Sequence, residues 1–366
     1  MLSFIAERAA EDAPALVRPG GESMSYGTLA MAAAAVMQAL GERVGDVAHR
    51  IIGVAVEDGA GFVASVLAVL EAGGVVLPLD PRRGTAALEV EAARARALAV
   101  IVGDAGDDRL DVVAVDASRR ELVPEACLLL DAGGRRAVHS RAALGLGVDA
   151  IARQVGLDAA SRLPLIGPLG HGPVLTTALA TLRAGGALLL VGALLPEEQP
   201  RAVSALGANV LSGASAALLP LAGATAGRVV AVGASEVGPL PSAFPRARIA
   251  RAYDTGEALR VAAAEGDEPW SALPGVGLRL DGDVAEVCAP TVMLGYLDDA
   301  EATRAALLEE GGERWLRARA VDRLDPAALE RAILATPGVR DAAVLAVRAG
   351  AGERLYAFVT GDAARV

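Results

Sequence analysis

Apolar blocks and helix-forming blocks alternate along most of the chain. Residues 28–41 are rich in good helix formers, and an apolar block follows at 51–58. A second helical block covers 62–74, and the next apolar block covers 75–81. Strands that are apolar throughout are typical of parallel sheets that helices cover on both faces. We therefore predict an α/β fold for this part of the chain.

The same alternation continues to residue 234. Short apolar blocks separated by helical ones predict further β–α units of a parallel sheet. The additional helices are predicted at 88–97, 141–156 and 201–207, and the additional strands at 98–103, 187–192, 209–213 and 228–234.

The pattern changes near residue 270. Residues 276–290 alternate polar and apolar positions between Gly and Pro, which predicts a small antiparallel or barrel-like piece. The final stretch, from residue 326, predicts a helix, a strand, a hairpin and a strand. We therefore predict α/β subdomains to about residue 269 and a β-rich piece at 270–312, which together form a domain of 1–312. A small α+β domain is predicted at 313–366.

Composition argues against a membrane protein, although 53% of the residues are hydrophobic. The best apolar stretch, from Phe62 to Leu70, stops at Glu71, well short of the ~20 residues that a membrane span needs. The first dozen residues contain acids and no basic segment before an apolar block, unlike a secretory signal. We expect a cytoplasmic protein.

Charge and cysteine content exclude further classes. A net charge of −11 disfavours nucleic acid and anionic membranes as partners, since both bind basic patches. Cys127 and Cys288 are far apart without metal-ligand spacing, so we expect buried apolar side chains.

The chain contains no lysine, and all 34 of its basic residues are arginine. Codon bias explains such a replacement on the surface. It does not explain the loss of a lysine that chemistry requires, because Arg cannot supply a compact point charge or release its proton.

Six strings of the sequence stand out. They are SYGTLAMAAAAVMQAL (25–40), LAVLEAGGVVLPLDP (67–81), PLGHGPVLTTALATLRAGGALLLV (168–191), YDTGEA (253–258), EVCAPTVMLGYLDDAEATRAAL (286–307) and PAALERAILATPGVRDAAVLAV (326–347). In this order they are similar to the motifs of the adenylate-forming (AMP-binding) superfamily of acyl- and aryl-CoA ligases and nonribosomal peptide synthetase adenylation domains. The resemblance runs almost end to end. It implies two packed α/β subdomains, a small β-barrel-like piece and a remnant α+β C-terminal subdomain.

The resemblance implies attack of a carboxylate on ATP, which gives an acyl-adenylate, followed by transfer of the acyl group to a thiol. The implied cofactors are ATP and Mg²⁺, with CoA or carrier-protein phosphopantetheine as the thiol. The family's late lysine falls beyond Val366, so the chain resembles a degenerate and C-terminally shortened member.

The stretch at 128–144 falls where the family has its Gly-rich phosphate loop. Gly133, Gly134 and Arg135 would then face the phosphates, with Arg135 or Arg136 in place of lysine. Hydroxyl groups are missing, however, and Asp131 would repel a phosphate. We expect a shortened structural turn.

YDTGEA implies that Tyr253 stacks on adenine and that Glu257 lies near Mg²⁺. Asp254 and Gly256 stand where the family has Gly and Thr, which removes a hydroxyl group and adds an acid. Thr255 could supply the hydroxyl only if the turn slips by one residue. Nucleotide binding and a structural turn both remain open.

The family's ribose-binding string is only partly present. Trp315 and Arg317 match it, but Ala318, Arg319 and Ala320 occupy the positions of Thr, Gly and the ribose Asp. Alanine cannot accept hydrogen bonds from a diol. The following hinge is reduced to a doubtful remnant at 322–323.

The resemblance also implies an acyl pocket. His171 would flank it, and Val232, Gly233 and Ala234 would line it at the end of a strand, where α/β sheets bind ligands. A lone histidine in this context is equally consistent with a helix cap or the core.

Three functions follow. The first is a non-catalytic homologue that binds a partner enzyme, a carrier protein or an acyl ligand. The second is a divergent, active ATP-dependent ligase acting on a small-molecule carboxylate. The third is a product without selected function. The PLDP string (78–81) favours amino acids and the PLxH string (168–171) favours acyl or aryl acids, toward which we lean.

Overall fold

The computed structural model describes residues 8, 12–57, 59–103, 110–115, 121–225, 227–233, 238–281, 284–319, 339–349 and 352–361. The chain divides into two compact units, Met1–Arg279 with Glu286–Arg317, and Leu280–Ala285 with Ala318–Val366. The boundary expected between residues 312 and 313 stays a prediction.

Twenty-two strands form the sheets of the described chain. In chain order they are β1 (Pro14–Val17), β2 (Ser23–Ser25), β3 (Ile51–Val56), β4 (Val75–Pro78), β5 (Ala99–Gly103), β6 (Asp111–Ala114), β7 (Ala126–Ala132), β8 (Arg135–Ser140), β9 (Arg162–Pro164), β10 (Ala187–Leu189), β11 (Val210–Gly213), β12 (Arg228–Val232), β13 (Arg248–Thr255), β14 (Leu259–Glu265), β15 (Ser271–Ala272), β16 (Gly277–Asp281), β17 (Val284–Cys288), β18 (Gly295–Tyr296), β19 (Leu307–Glu310), β20 (Glu313–Arg319), β21 (Val339–Ala349) and β22 (Gly352–Gly361).

The helices lie mainly between these strands. They are α1 (Tyr26–Val44), α2 (Gly59–Glu71), α3 (Thr85–Arg94), α4 (Arg141–Val155), α5 (Gly172–Arg183), α6 (Gln199–Ala205), α7 (Ser215–Leu218), α8 (Leu240–Ala243) and α9 (Ala300–Ala306), with 3-10 turns at Pro81–Arg83 and Leu219–Leu221.

The largest sheet has seven strands in the order β18-β8-β7-β4-β3-β5-β6. Its centre is parallel, since β3 pairs in parallel with β4 and β5, and β4 with β7. Both edges are antiparallel. Every residue of β3 is buried, which confirms that continuous apolar blocks form strands covered on both faces.

Helix ends follow local capping chemistry. The Ser25 hydroxyl accepts a hydrogen bond from the Thr28 N–H at the start of α1, and the Ser140 hydroxyl does the same at the start of α4. Gly156, with φ of 73°, ends α4 in the left-handed conformation that glycine adopts without strain. These local signals explain why both predicted helices begin and end close to their expected residues.

Two further sheets belong to the α/β region. Strands β2-β1-β10-β9 form a four-stranded sheet, and β11-β12-β13-β14-β15 form a five-stranded one. The Asn209 side-chain oxygen accepts a hydrogen bond from the Arg162 N–H at 2.8 Å, which joins the start of β9 to the residue before β11. The α/β prediction is thereby confirmed.

The β-rich piece, predicted to be antiparallel or barrel-like, is an open sheet. Its four strands have the order β16-β17-β20-β19, with β19 and β20 antiparallel, and the sheets of the described chain include no closed barrel. The second unit contains the hairpin β21-β22. The helix predicted from residue 326 lies outside the described residues. Among the helices that the structure describes, none has the length and apolar character needed to cross a bilayer.

Candidate functional site

The stretch expected at the phosphate loop is a tight hairpin. Strands β7 and β8 pair up to Ala132 and Arg135, so only Gly133 and Gly134 connect them. Both glycines have positive φ, 63° and 85°, as a two-residue hairpin turn requires. A turn of this length offers too few backbone N–H groups to surround a phosphate.

Arg135 is engaged next to this turn. Its Nε donates to the Asp299 carboxylate at 2.9 Å, and its guanidinium lies 5.7 Å from the centre of the Tyr296 ring. The pKa of Asp299 is lowered, first by the Ala302 N–H and then by Arg135. Arg136 pairs with Glu91 instead. The two arginines predicted to replace a lysine both have protein partners.

The YDTGEA segment is also a hairpin turn, between β13 and β14. Thr255 pairs with Leu259 across it, and Leu259 has a φ of 58°. The Thr255 hydroxyl accepts a hydrogen bond from the Ala258 N–H at 2.8 Å. This hydroxyl oxygen thus helps to hold the turn as an acceptor.

Gly256 packs tightly against the first hairpin. A Cβ atom added at this position would lie 2.2 Å from the Asp131 carbonyl oxygen, so no side chain fits without backbone movement. The Gly256 carbonyl lies 2.6 Å from Nε2 of the fully buried His139. Burial lowers the pKa of this histidine, so its Nε2–H donates from a neutral ring. The two turns form one packed unit.

Asp254, the acid that replaces the family's Gly, is paired inside the core. Its carboxylate accepts two hydrogen bonds from Arg260, at 2.7 and 3.1 Å. The two side chains are 3% and 0% exposed, and Arg260 also donates to the Gln154 amide oxygen at 2.9 Å. The charge of Asp254 is therefore compensated by Arg260.

Glu257 is held by a residue from the GY segment. The Tyr296 hydroxyl donates to its carboxylate at 2.9 Å, and the Met293 N–H donates to its carbonyl at 2.6 Å. Burial and then the Glu257 charge raise the pKa of Tyr296, so it stays a protonated donor. Glu257, Tyr296, Arg135 and Asp299 thus form one connected network.

Tyr253 lies half-buried on β13. Its ring meets the Trp270 ring edge to face, with 6.4 Å between centres. The Arg251 guanidinium lies 4.7 Å from the centre of the Trp270 ring. Burial and the Glu257 charge raise the pKa of Tyr253. The position expected to stack on adenine carries an aromatic contact within the protein.

The predicted acyl-pocket residues lie close to these turns. His171 is exposed before α5 and makes no side-chain cap bond. Desolvation lowers the pKa of His171 more than the charges of Asp254 and Asp131 raise it. Val232 ends β12, and the Gly233 N–H donates to the Ala252 carbonyl at 2.8 Å.

Two positions considered in the sequence, Ala234 and Ala320, lie outside the described residues.

Trp315 and Arg317 are both on β20. The Arg279 guanidinium lies 4.0 Å from the Trp315 ring centre, and Arg317 donates to Glu286 at 3.1 Å.

The residues expected to contact ATP and Mg²⁺ already make contacts within the protein. Nucleotide handling requires N–H groups, hydroxyls and a cation that point at phosphate oxygens, and a carboxylate available to the metal. Here the turn is closed, Thr255 and Arg135 are engaged, and Glu257 accepts from Tyr296. Within the described part of the chain, no group of three or more His, Cys, Asp or Glu side chains could hold a metal.

Sequence reasoning missed Tyr296, Asp299 and Arg260. The first two belong to the GYLDDAEAT string that carries the resemblance, and Asp299 caps α9 through the Ala302 N–H at 2.9 Å. An Asp before a helix with Glu in its first turn was therefore a usable signal. Arg260 offered none, because a lone Arg in a strand is usually exposed.

Known proteins share this fold. Residues 5–143 match the family model of the AMP-binding enzymes. An artificially fused adenylation–PCP di-domain from Klebsiella oxytoca superposes with a TM-score of 0.72 at 15% identity, covering 99% of this chain and 81% of its own. ATP-bound MatB from Rhodopseudomonas palustris gives 0.71 at 19% identity, with 99% and 89% covered.

The amide bond synthetase McbA from Marinactinospora thermotolerans gives a TM-score of 0.70 at 21% identity, with 98% of this chain and 88% of that chain covered. No protein of curated function matches the chain in sequence. Residues 5–143 are thus similar to the AMP-binding enzymes in sequence, and the chain shares the fold of adenylate-forming enzymes over nearly its whole length.

Proposed function

We propose that this chain is a non-catalytic or accessory homologue of the adenylate-forming enzymes, which binds an acyl ligand, a carrier protein or a partner enzyme. The observation that carries the proposal is the network of Glu257, Tyr296, Arg135 and Asp299. Two of its members, Glu257 and Arg135, are the groups that the family resemblance would place near a metal and phosphates. Each of them is engaged by another side chain of the same protein.

Steric crowding supports the same proposal. Binding a triphosphate between the two turns requires them to separate, but Gly256 is packed on the Asp131 carbonyl and on His139. Separation would also remove the hydrogen bond of a fully buried imidazole, which costs about 1–3 kcal/mol in desolvation of the unpaired groups. A carrier protein as partner is in keeping with the adenylation–PCP di-domain among the structural neighbours.

A second candidate is a divergent ATP-dependent ligase that forms an acyl-adenylate and then an acyl thioester with CoA or phosphopantetheine. Two observations favour it: Tyr253 and Glu257 are in register with the family motif, and the fold is that of ATP-bound MatB. It requires Tyr296 to release Glu257 when nucleotide binds.

ATP–pyrophosphate exchange with a panel of acyl, aryl and amino acids distinguishes the two. We expect no exchange above a buffer blank and a flat calorimetric titration with ATP and Mg²⁺. Exchange that falls in Glu257→Gln and persists in Glu89→Gln, a matched change of an exposed carboxylate on α3, would establish the ligase and refute the non-catalytic proposal.

A further inference from the structure

A cavity of about 370 Å³ lies where strands of two sheets end. Glu57 follows β3 and Leu79 follows β4 of the seven-stranded sheet, while Leu165 follows β9 and Leu190 follows β10 of the four-stranded sheet. Ligands of open α/β sheets bind in crevices at such carboxyl ends of strands. Tyr253, Glu257 and His171 are not part of its lining.

The floor of the cavity is apolar. Phe62, Leu79, Leu165 and Leu190 line it, and each is at most 8% exposed. A Cβ atom at Gly59 would lie 2.9 Å from a Leu190 methyl group, so the missing side chain at the start of α2 lets the two sheets approach closely. This floor suits the apolar body of a small ligand.

The three guanidinium groups of the lining are already in ion pairs. Arg82 donates twice to Asp80, at 2.9 and 3.0 Å, and Arg83 pairs with Glu91 at 2.8 Å. Arg136 pairs with the same Glu91. The positive charges at the rim are thus compensated by carboxylates of the protein.

Two exposed carboxylates of the lining have no ion pair. Among the described residues, no hydrogen bond or ion pair is made to the side chain of Glu57 or Asp131, although the charge of Glu57 also acts on Arg82. Arg136 lies directly opposite Asp131 in the β7–β8 pairing, yet its guanidinium turns to Glu91. Four carboxylates and three guanidiniums of the described chain line the cavity, which leaves a net charge of −1.

We propose that this cavity binds an organic ammonium ion with an apolar body, whose charge pairs with Glu57 and Asp131 while its body covers the apolar floor. A carboxylate ligand would be repelled by the two carboxylates that have no ion pair. A neutral apolar ligand would contact the apolar floor but would have no charge to pair with the carboxylates. The proposal does not require the chain to use ATP, because of the residues considered for nucleotide binding only Asp131 and Arg136 line the cavity.

Calorimetric titration with three matched probes tests it: 2-phenylethylammonium, 2-phenylethanol and 3-phenylpropionate, at pH 7 and low salt. We expect the ammonium ion to bind most tightly and its affinity to fall with added salt, because the pairing charges are partly exposed. Equal affinity for the alcohol, tighter binding of the carboxylate, or no binding of any probe would overturn the proposal.

Charge-removing variants sharpen the test. Glu57→Gln and Asp131→Asn keep side-chain size, and each should weaken ammonium binding about tenfold. Glu22→Gln, at an exposed carboxylate outside the lining, should leave it unchanged. Circular dichroism of each variant verifies that it is folded. Unaltered affinity in both folded cavity variants would also refute the assignment.

Discussion

The two hairpin turns differ in how they are anchored, although both stand where the family resemblance implies nucleotide contacts. The turn at 133–134 is open to solvent, since an added Cβ at either glycine meets no neighbour within 4 Å, and an exposed Arg135–Asp299 pair holds it. The turn at 255–258 is anchored from inside, by a buried ion pair and a buried histidine. One turn is held by exposed charges and the other by the core.

Breaking the buried Asp254–Arg260 ion pair should cause the largest loss of unfolding free energy. Asp254→Ala leaves the fully buried Arg260 without its carboxylate, and an uncompensated buried charge costs about 3–5 kcal/mol of unfolding free energy. Urea denaturation measures this loss. Asp254→Leu combined with Arg260→Met should restore most of it, because an apolar pair of similar volume needs no compensation. A single Asp254→Ala variant as stable as the parent would show that water reaches Arg260.

Replacing the buried His139 should cause an intermediate loss of stability, and the size of this loss should depend on pH. Burial lowers the pKa of His139 in the folded state, so below about pH 6.5 the unfolded chain binds the extra proton. Stability contributed by the neutral ring is therefore present above that pH and is lost as pH falls, by up to about 1.4 kcal/mol per pH unit.

His139→Gln removes this titration. The variant should be less stable than the parent at pH 8, and the difference should shrink by pH 5.5 in urea denaturation. A difference that stays constant over this pH range would contradict a buried neutral histidine at this position.

Breaking the exposed Arg135–Asp299 ion pair should cause the smallest loss of stability. Arg135→Gln removes an exposed ion pair, whose charges water and salt already screen. We expect a small decrease of the urea midpoint at low salt that disappears in 1 M NaCl. If Arg135→Gln lowers the urea midpoint as much as Asp254→Ala does, the two turns do not differ in how strongly they are held.

Most of the α/β fold was predictable because its strands are apolar throughout. The pair β13 and β14 was not, since Arg251 and Arg260 interrupt the pattern and yet are only 4% and 1% exposed. Their charges are satisfied by groups distant in sequence: Arg260 by Gln154 as well as Asp254, and Arg251 by the Gly266 and Glu268 carbonyls. Periodicity cannot reveal a buried arginine whose partners come from tertiary structure.

The candidate site shows the same limit. Motif order located Tyr253, Glu257 and the two-glycine stretch, and the structure brings these segments together. What the side chains do there depends on contacts between segments, such as Tyr296 with Glu257 over a separation of 39 residues. The spacing of residues within a motif carries no information on such contacts.

The close contact of Gly256 with the Asp131 carbonyl couples the two hairpins through their backbones. The family resemblance implies a threonine at 256, but a threonine there would strike a backbone atom that belongs to β7. A Gly256→Thr substitution therefore requires a simultaneous rearrangement of the β7–β8 hairpin, so neither turn can change its shape on its own.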